Sequence, residues 1–157
     1  MDESKTAISG FLKRINLIHK AIMASPIIVG LVVYQTADNP YLLIFDAWDL
    51  LMLFAISAIL LGFYLSDQLF KKYLLAIPPN ASLTQKLEKF QAAFLLKMVF
   101  LEMPALICAA IFVLTQNLLY LIVIGGIVVY MSLHNTKKEN IIHALDLRGG
   151  GGRKRIK

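Results

Sequence analysis

The sequence reads as an all-α fold, a four-transmembrane-helix bundle, and three observations carry that reading. Hydrophobic residues fill 58% of its 157 positions and charged ones only 17%, with a mean hydropathy of +0.68, well outside the range of ordinary soluble domains. Four apolar runs, at 21–37, 47–66, 94–114 and 118–133, approach the length of about 20 residues that crosses a bilayer. All 16 Lys and Arg fall on one side of those runs. In hydrocarbon the backbone amides find no water, so such runs are helices, and the alternation of a barrel strand is not visible in them. Residues 1–147 form one membrane-embedded domain, and 148–157 form a flexible basic tail.

The first run follows Lys13, Arg14, His19 and Lys20, an arrangement that resembles a secretion signal. No small-x-small cleavage pattern comes after it, because Gln35 precedes Thr36 and Ala37, so it is read as a retained helix. The loop that follows carries only the acidic Asp38 and Asp46. Trp48, between Asp46 and Asp49, is an interfacial anchor with Tyr34 and Tyr41 nearby, or else a ring packed within the bundle. The second helix continues past Asp67 through Gln68 to Leu74 until Pro78 and Pro79 stop it, since neither proline extends the hydrogen-bond ladder. Ser82 with Gln85 fits a capping box, and Leu83, Leu87, Phe90 and Phe94 recur at helical spacing, so the third helix begins near Leu83. Helices two and three then make a protruding cytoplasmic hairpin.

The uncharged link Thr115-Gln116-Asn117 leads into the fourth run, and residues 135–145 beyond it suit a short surface helix with Ile141, Ile142 and Leu145 on one side. Basic residues before the first run, between the second and third, and after the fourth place both termini and the central turn in the cytoplasm. The expected location is the inner (cytoplasmic) membrane, crossed several times. The net charge of +6 flanks apolar segments, which points to anionic lipid headgroups rather than nucleic acid.

The two halves of the chain look alike. Lys20, Pro26, Gln35, Thr36, Asn39 and Tyr41 in one half correspond to Lys97, Pro104, Thr115, Gln116, Asn117 and Tyr120 in the other. A tandem repeat of two-helix hairpins, related by an axis along the membrane normal, would produce this pattern. Apolar sequence also aligns easily once gaps are allowed, so duplication and coincidence both stay open.

Glu102 is the ionisable group that stands out. It lies five residues inside Lys97, about 7 Å along a helix, where burying a carboxylate is costly unless it faces other helices or a wet cavity. Ala105 and Ala109 share its face, and small residues let a neighbouring helix approach. Ser25, Tyr64 and Tyr130 lie at equal depth on the other three helices and offer hydroxyls to it. Pro104 and Pro26 are kink positions that free the carbonyls of Phe100 and Ile22 near the same level. Glu102 is then a reversible proton or cation site, or a carboxyl tied to hydroxyls as interhelical glue; the second needs fewer assumptions for a lone acid near the cytoplasmic end.

Little else points to chemistry. Cys108 is the single cysteine and suits a small packing position. The three histidines are too scattered for a metal cluster, and no nucleotide loop, catalytic triad, paired carboxylates or zinc signature is present, so neither metal nor cofactor is expected.

At Phe100-Leu101-Glu102-Met103-Pro104-Ala105-Leu106, Leu114-Thr115-Gln116-Asn117 and Thr136-Lys137-Lys138-Glu139-Asn140-Ile141-Ile142 the chain resembles an uncharacterised family of bacterial four-helix integral inner-membrane proteins. That resemblance spans about 86–147 and implies a fold and a location without an activity. Three functions follow for comparison. A proton-coupled role similar to ATPase proteolipids would use Glu102, but their glycine repeat is missing and the orientation is reversed. A membrane glutathione-transferase-like enzyme would also use a Glu near a helix end, but Gln91, Lys97 and Phe100 are poor substitutes for its Arg and Asn pattern. A non-enzymatic structural or interaction subunit, a homo-oligomer or one bound to another membrane protein, conflicts with nothing in the sequence and is the expected class.

Overall fold

Local chemistry sets where each helix starts and stops. In the computed structural model, which describes residues 2–43, 50–78 and 80–133, with side chains from Ser9 onward, four α-helices follow one another: α1 (Asp2–Gln35), α2 (Leu50–Leu75), α3 (Leu83–Thr115) and α4 (Leu119–Leu133). Trp48, the 135–145 segment and the basic tail lie outside the described residues. The capping box forms as its spacing predicts: the Gln85 amide donates to Ser82 Oγ (3.3 Å) and the Ser82 amide to Gln85 Oε1 (3.2 Å). α2 ends ahead of Pro78. α3 ends at Gln116, left-handed at φ 56° and ψ 18°, whose amide donates to the Phe112 carbonyl (2.6 Å). Both helical prolines, Pro26 and Pro104, are fully buried within unbroken helices.

α3 is the shared partner. It packs against α1, α2 and α4, while α1 also meets α4. Its buried face runs from Leu87 to Phe112, with Met98, Leu101, Cys108 and Phe112 completely enclosed. By contrast, large apolar side chains point outward along every helix, among them Leu31, Leu53, Phe54, Leu60, Ile122 and Val129. Such a surface suits a solvent as apolar as the helices themselves. α2, α3 and the Ser9–Gln35 part of α1 are long and apolar enough to cross a membrane; α4 is apolar but has 15 described residues.

One helix is longer than its apolar run indicates. α1 begins at Asp2, well ahead of the apolar run at 21–37, and Phe11, Ile15, Ile18 and Ile22 give its first part an apolar stripe. Ile15 is fully buried, and Phe11 meets Phe90 edge-on at 6.5 Å while Phe70 meets the same ring at 5.9 Å. The prolonged part of the α2/α3 hairpin is therefore accompanied by α1 instead of standing free.

α2 and α3 approach closely at Gly62. A Cβ there would sit 2.5 Å from Pro104 Cγ and 2.8 Å from the Phe100 carbonyl oxygen. That carbonyl is the acceptor Pro104 leaves without its helical donor, so a Cα–H of Gly62 faces it. Gly62→Ala is expected to destabilise the fold by about 1–3 kcal/mol through overpacking. Gly125→Ala, where nothing lies within 4 Å, should be neutral or slightly stabilising, and unfolding of both variants in detergent checks the contrast.

Candidate functional site

Glu102 lies half-buried on α3, flanked on its own face by the buried Met98, Ala105 and Ala109. Two residues turn a helix by about 200°, so Glu102 faces away from Pro104 and the Gly62 seam. Of its expected partners, Tyr64 is 62% exposed on α2, Ser25 is half-buried on α1, and Tyr130 of α4 stacks on Phe63 with ring centroids 4.6 Å apart. Among the described residues no hydrogen bond or ion pair joins Glu102 to Ser25, Tyr64 or Tyr130.

Instead, a polar layer forms one turn and more closer to the lysine-bearing end. Lys97 Nζ is 2.7 Å from Asp67 Oδ1, linking α3 to α2, and lies 5.3 Å from the centroid of the Phe70 ring. The Lys97 side chain is 11% exposed and that of Asp67 49%, so the pair neutralises a cation inside the protein while its acid stays wetted. Beside it Ser66 is buried and donates to the Phe63 carbonyl (2.8 Å). His19, read from the sequence as a flanking residue, is buried too: Nε2 lies 3.1 Å from the Met131 carbonyl of α4, and the ring meets Phe94 edge-on at 5.7 Å. The Lys97–Asp67 pair was legible in principle, because Asp67 is the one acid of α2 and matches Lys97 in depth on an antiparallel neighbour.

The opposite end is held by backbone. Tyr41 and Asn117 pair as an isolated parallel bridge: the Tyr41 amide donates to the Gln116 carbonyl (3.1 Å) and the Leu118 amide to the Tyr41 carbonyl (2.8 Å). Asn117, 5% exposed, takes the Leu43 amide on Oδ1 (3.2 Å) and gives Nδ2 to the Leu43 carbonyl (3.1 Å). Its Oδ1 also caps α4 through the Leu119 amide (3.0 Å). The Thr, Gln, Asn and Tyr residues that suggested a repeat thus include those that clasp the two loops together.

Apolar grooves open on the outside of the described residues. One of 270 Å³ runs between α1 and α4 past Pro26, Gly30, Ile124 and Gly125. Another, of 300 Å³, runs between α2 and α3 past Phe54, Ala58, Gly62, Phe100 and Pro104. Each pairs a proline with glycine, but α3 packs on α4 whereas α1 and α2 share no comparable interface, so the halves are packed differently. Among the described residues no group of three or more His, Cys, Asp or Glu is placed to hold a metal, and Cys108 is buried as a free thiol.

Comparison with protein families, with curated proteins and with solved structures gives no match. The geometry of the polar layer makes its own prediction. Asp67→Asn strands the Lys97 ammonium and should lower stability in detergent by about 1–3 kcal/mol. Adding Lys97→Met, which removes the stranded charge, should restore part of the loss, and a double-mutant cycle of unfolding free energies measures the coupling.

Proposed function

We propose that the chain is a multi-pass, four-helix protein of the inner (cytoplasmic) membrane, with both termini in the cytoplasm, acting as a non-enzymatic structural or interaction subunit. The observation that carries this reading is the exposed pair Gly125 and Gly126 on α4, beside the α1/α4 groove. A glycine within a helix costs about 1 kcal/mol relative to alanine. Gly62 has a use inside the chain, since Pro104 occupies the space of its missing side chain; at Gly125 and Gly126 a Cβ would meet nothing within 4 Å. Small residues exposed on an apolar helix let the backbone of a second transmembrane helix approach. The occupant we assign to that face is a helix of a second copy of this chain. The family resemblance around Phe100–Leu106 supports the fold and the location and supplies no activity. Gly125→Leu should abolish energy transfer between differently labelled copies in bilayers while leaving the fold intact, and wild-type copies that show no transfer would rule out the self-association.

A second reading has its own observation. Glu102 is half-buried in an apolar helix and joined to no hydroxyl among the described residues, which favours a proton- or cation-coupled role over a purely structural one for that residue. Reconstituted wild type would then carry a pH-dependent ion flux that Glu102→Gln removes. A wild-type protein that passes nothing in liposomes ends the transport reading.

A further inference from the structure

The α2/α3 groove shares no lining residue with the α1/α4 groove beside the glycine face, and it continues into charge. Lys72 stands five helical turns beyond Phe54, and at about 3.6 residues per turn that brings it back over the same line of α2. Lys89 stands five turns before Ile107, and Lys86 five turns before Pro104, both along the groove edge of α3. All three lysines therefore extend the walls of one apolar groove at one end. Lys72 and Lys89 are exposed, and neither makes an ion pair among the described residues. The nearby carboxylates are elsewhere: Asp67 is held by Lys97, and Glu88 is in register with Leu106, outside the groove.

We propose that this seam is a binding site for an anionic glycerophospholipid, with an acyl chain in the α2/α3 groove and the phosphate held by Lys72 and Lys89. The proposal rests on the membrane placement above and adds to it a discrete lipid site. The dimensions fit. Lys72 lies seven residues past Leu65, the last groove residue of α2, or about 10 Å along the axis. The headgroup layer adds about 5–8 Å to each face of a bilayer's hydrocarbon core, and a lysine stem reaches back across the difference. Charge decides the occupant: a zwitterionic lipid fills the groove equally well but leaves the cations without a net partner, whereas each lysine near an anionic headgroup is worth about 1 kcal/mol, a factor of about five in affinity.

The test uses the full chain, purified in a neutral detergent, stripped of lipid and titrated with dioleoyl phosphatidylglycerol or dioleoyl phosphatidylcholine, with bound lipid counted by native mass spectrometry. Phosphatidylglycerol should bind in preference to phosphatidylcholine, and Lys72→Gln with Lys89→Gln should weaken it by about five-fold per lysine and erase the preference. Lys71→Gln, in register with Leu53 outside the groove, should leave it unchanged. Ser57→Leu, which narrows the groove, should weaken binding of both lipids, and glycerol phosphate should not compete. Equal binding of the two lipids, unaltered binding after loss of both lysines, or binding indifferent to Ser57→Leu would each overturn the proposal. A protein that needs detergent but fails these arms loses the lipid site and keeps the membrane reading; one that stays monomeric without detergent loses both.

Discussion

Everything in this molecule is organised by the contact surface of α3. A helix whose interior-facing side chains run unbroken from Leu87 to Phe112 can serve three neighbours only if different sectors of its circumference are shaped for each. In the α2 sector Gly62 gives up a side chain to admit Pro104 and the Phe100 carbonyl. In a setting without a strong hydrophobic drive between helices, close packing and satisfied polar groups do the work that burial does in water.

The two ends of the helices are tied by different chemistry. At one end a backbone bridge between Tyr41 and Asn117 joins the connections of both halves, with the Asn117 side chain completing the bonds and capping α4. At the other, side chains span helix pairs: Lys97 with Asp67 between α3 and α2, His19 with the Met131 carbonyl between α1 and α4. The middle contains glycine, proline, alanine and large apolar groups, with Glu102 at the edge of the buried face. That distribution puts the polar ties at the two ends of the helices and leaves apolar contacts between them. It also leaves two separate outer faces, the α4 glycines and the lysine-ended α2/α3 groove, free for different occupants.

Some of the site was written in the linear pattern and some was not. The capping box at Ser82 and Gln85, the stop before Pro78 and the interruption at Gln116 are local, so a few residues suffice to specify them. The apolar run 21–37 marks only part of α1, because charges at Lys13, Arg14 and Lys20 mask an apolar stripe on the opposite face of its first part. Depth matches Glu102 to Ser25, Tyr64 and Tyr130 but leaves the angle around each helix undetermined; Glu102 and the Gly62 seam differ by about half a turn. Depth did contain the Lys97–Asp67 pair, since each helix offers one candidate at that level.

By itself, then, the amino-acid sequence determined the apolar runs, their helical character and the local stops at Pro78 and Gln116, because each depends on neighbours a few residues away. Only the tertiary structure decided which helix is central, that Pro104 belongs to Gly62, that His19 is buried and that Asn117 clasps the opposite loop. Those outcomes depend on the rotation of each helix about its own axis, and rotation is set by how side chains from distant segments fit together, which no single segment encodes.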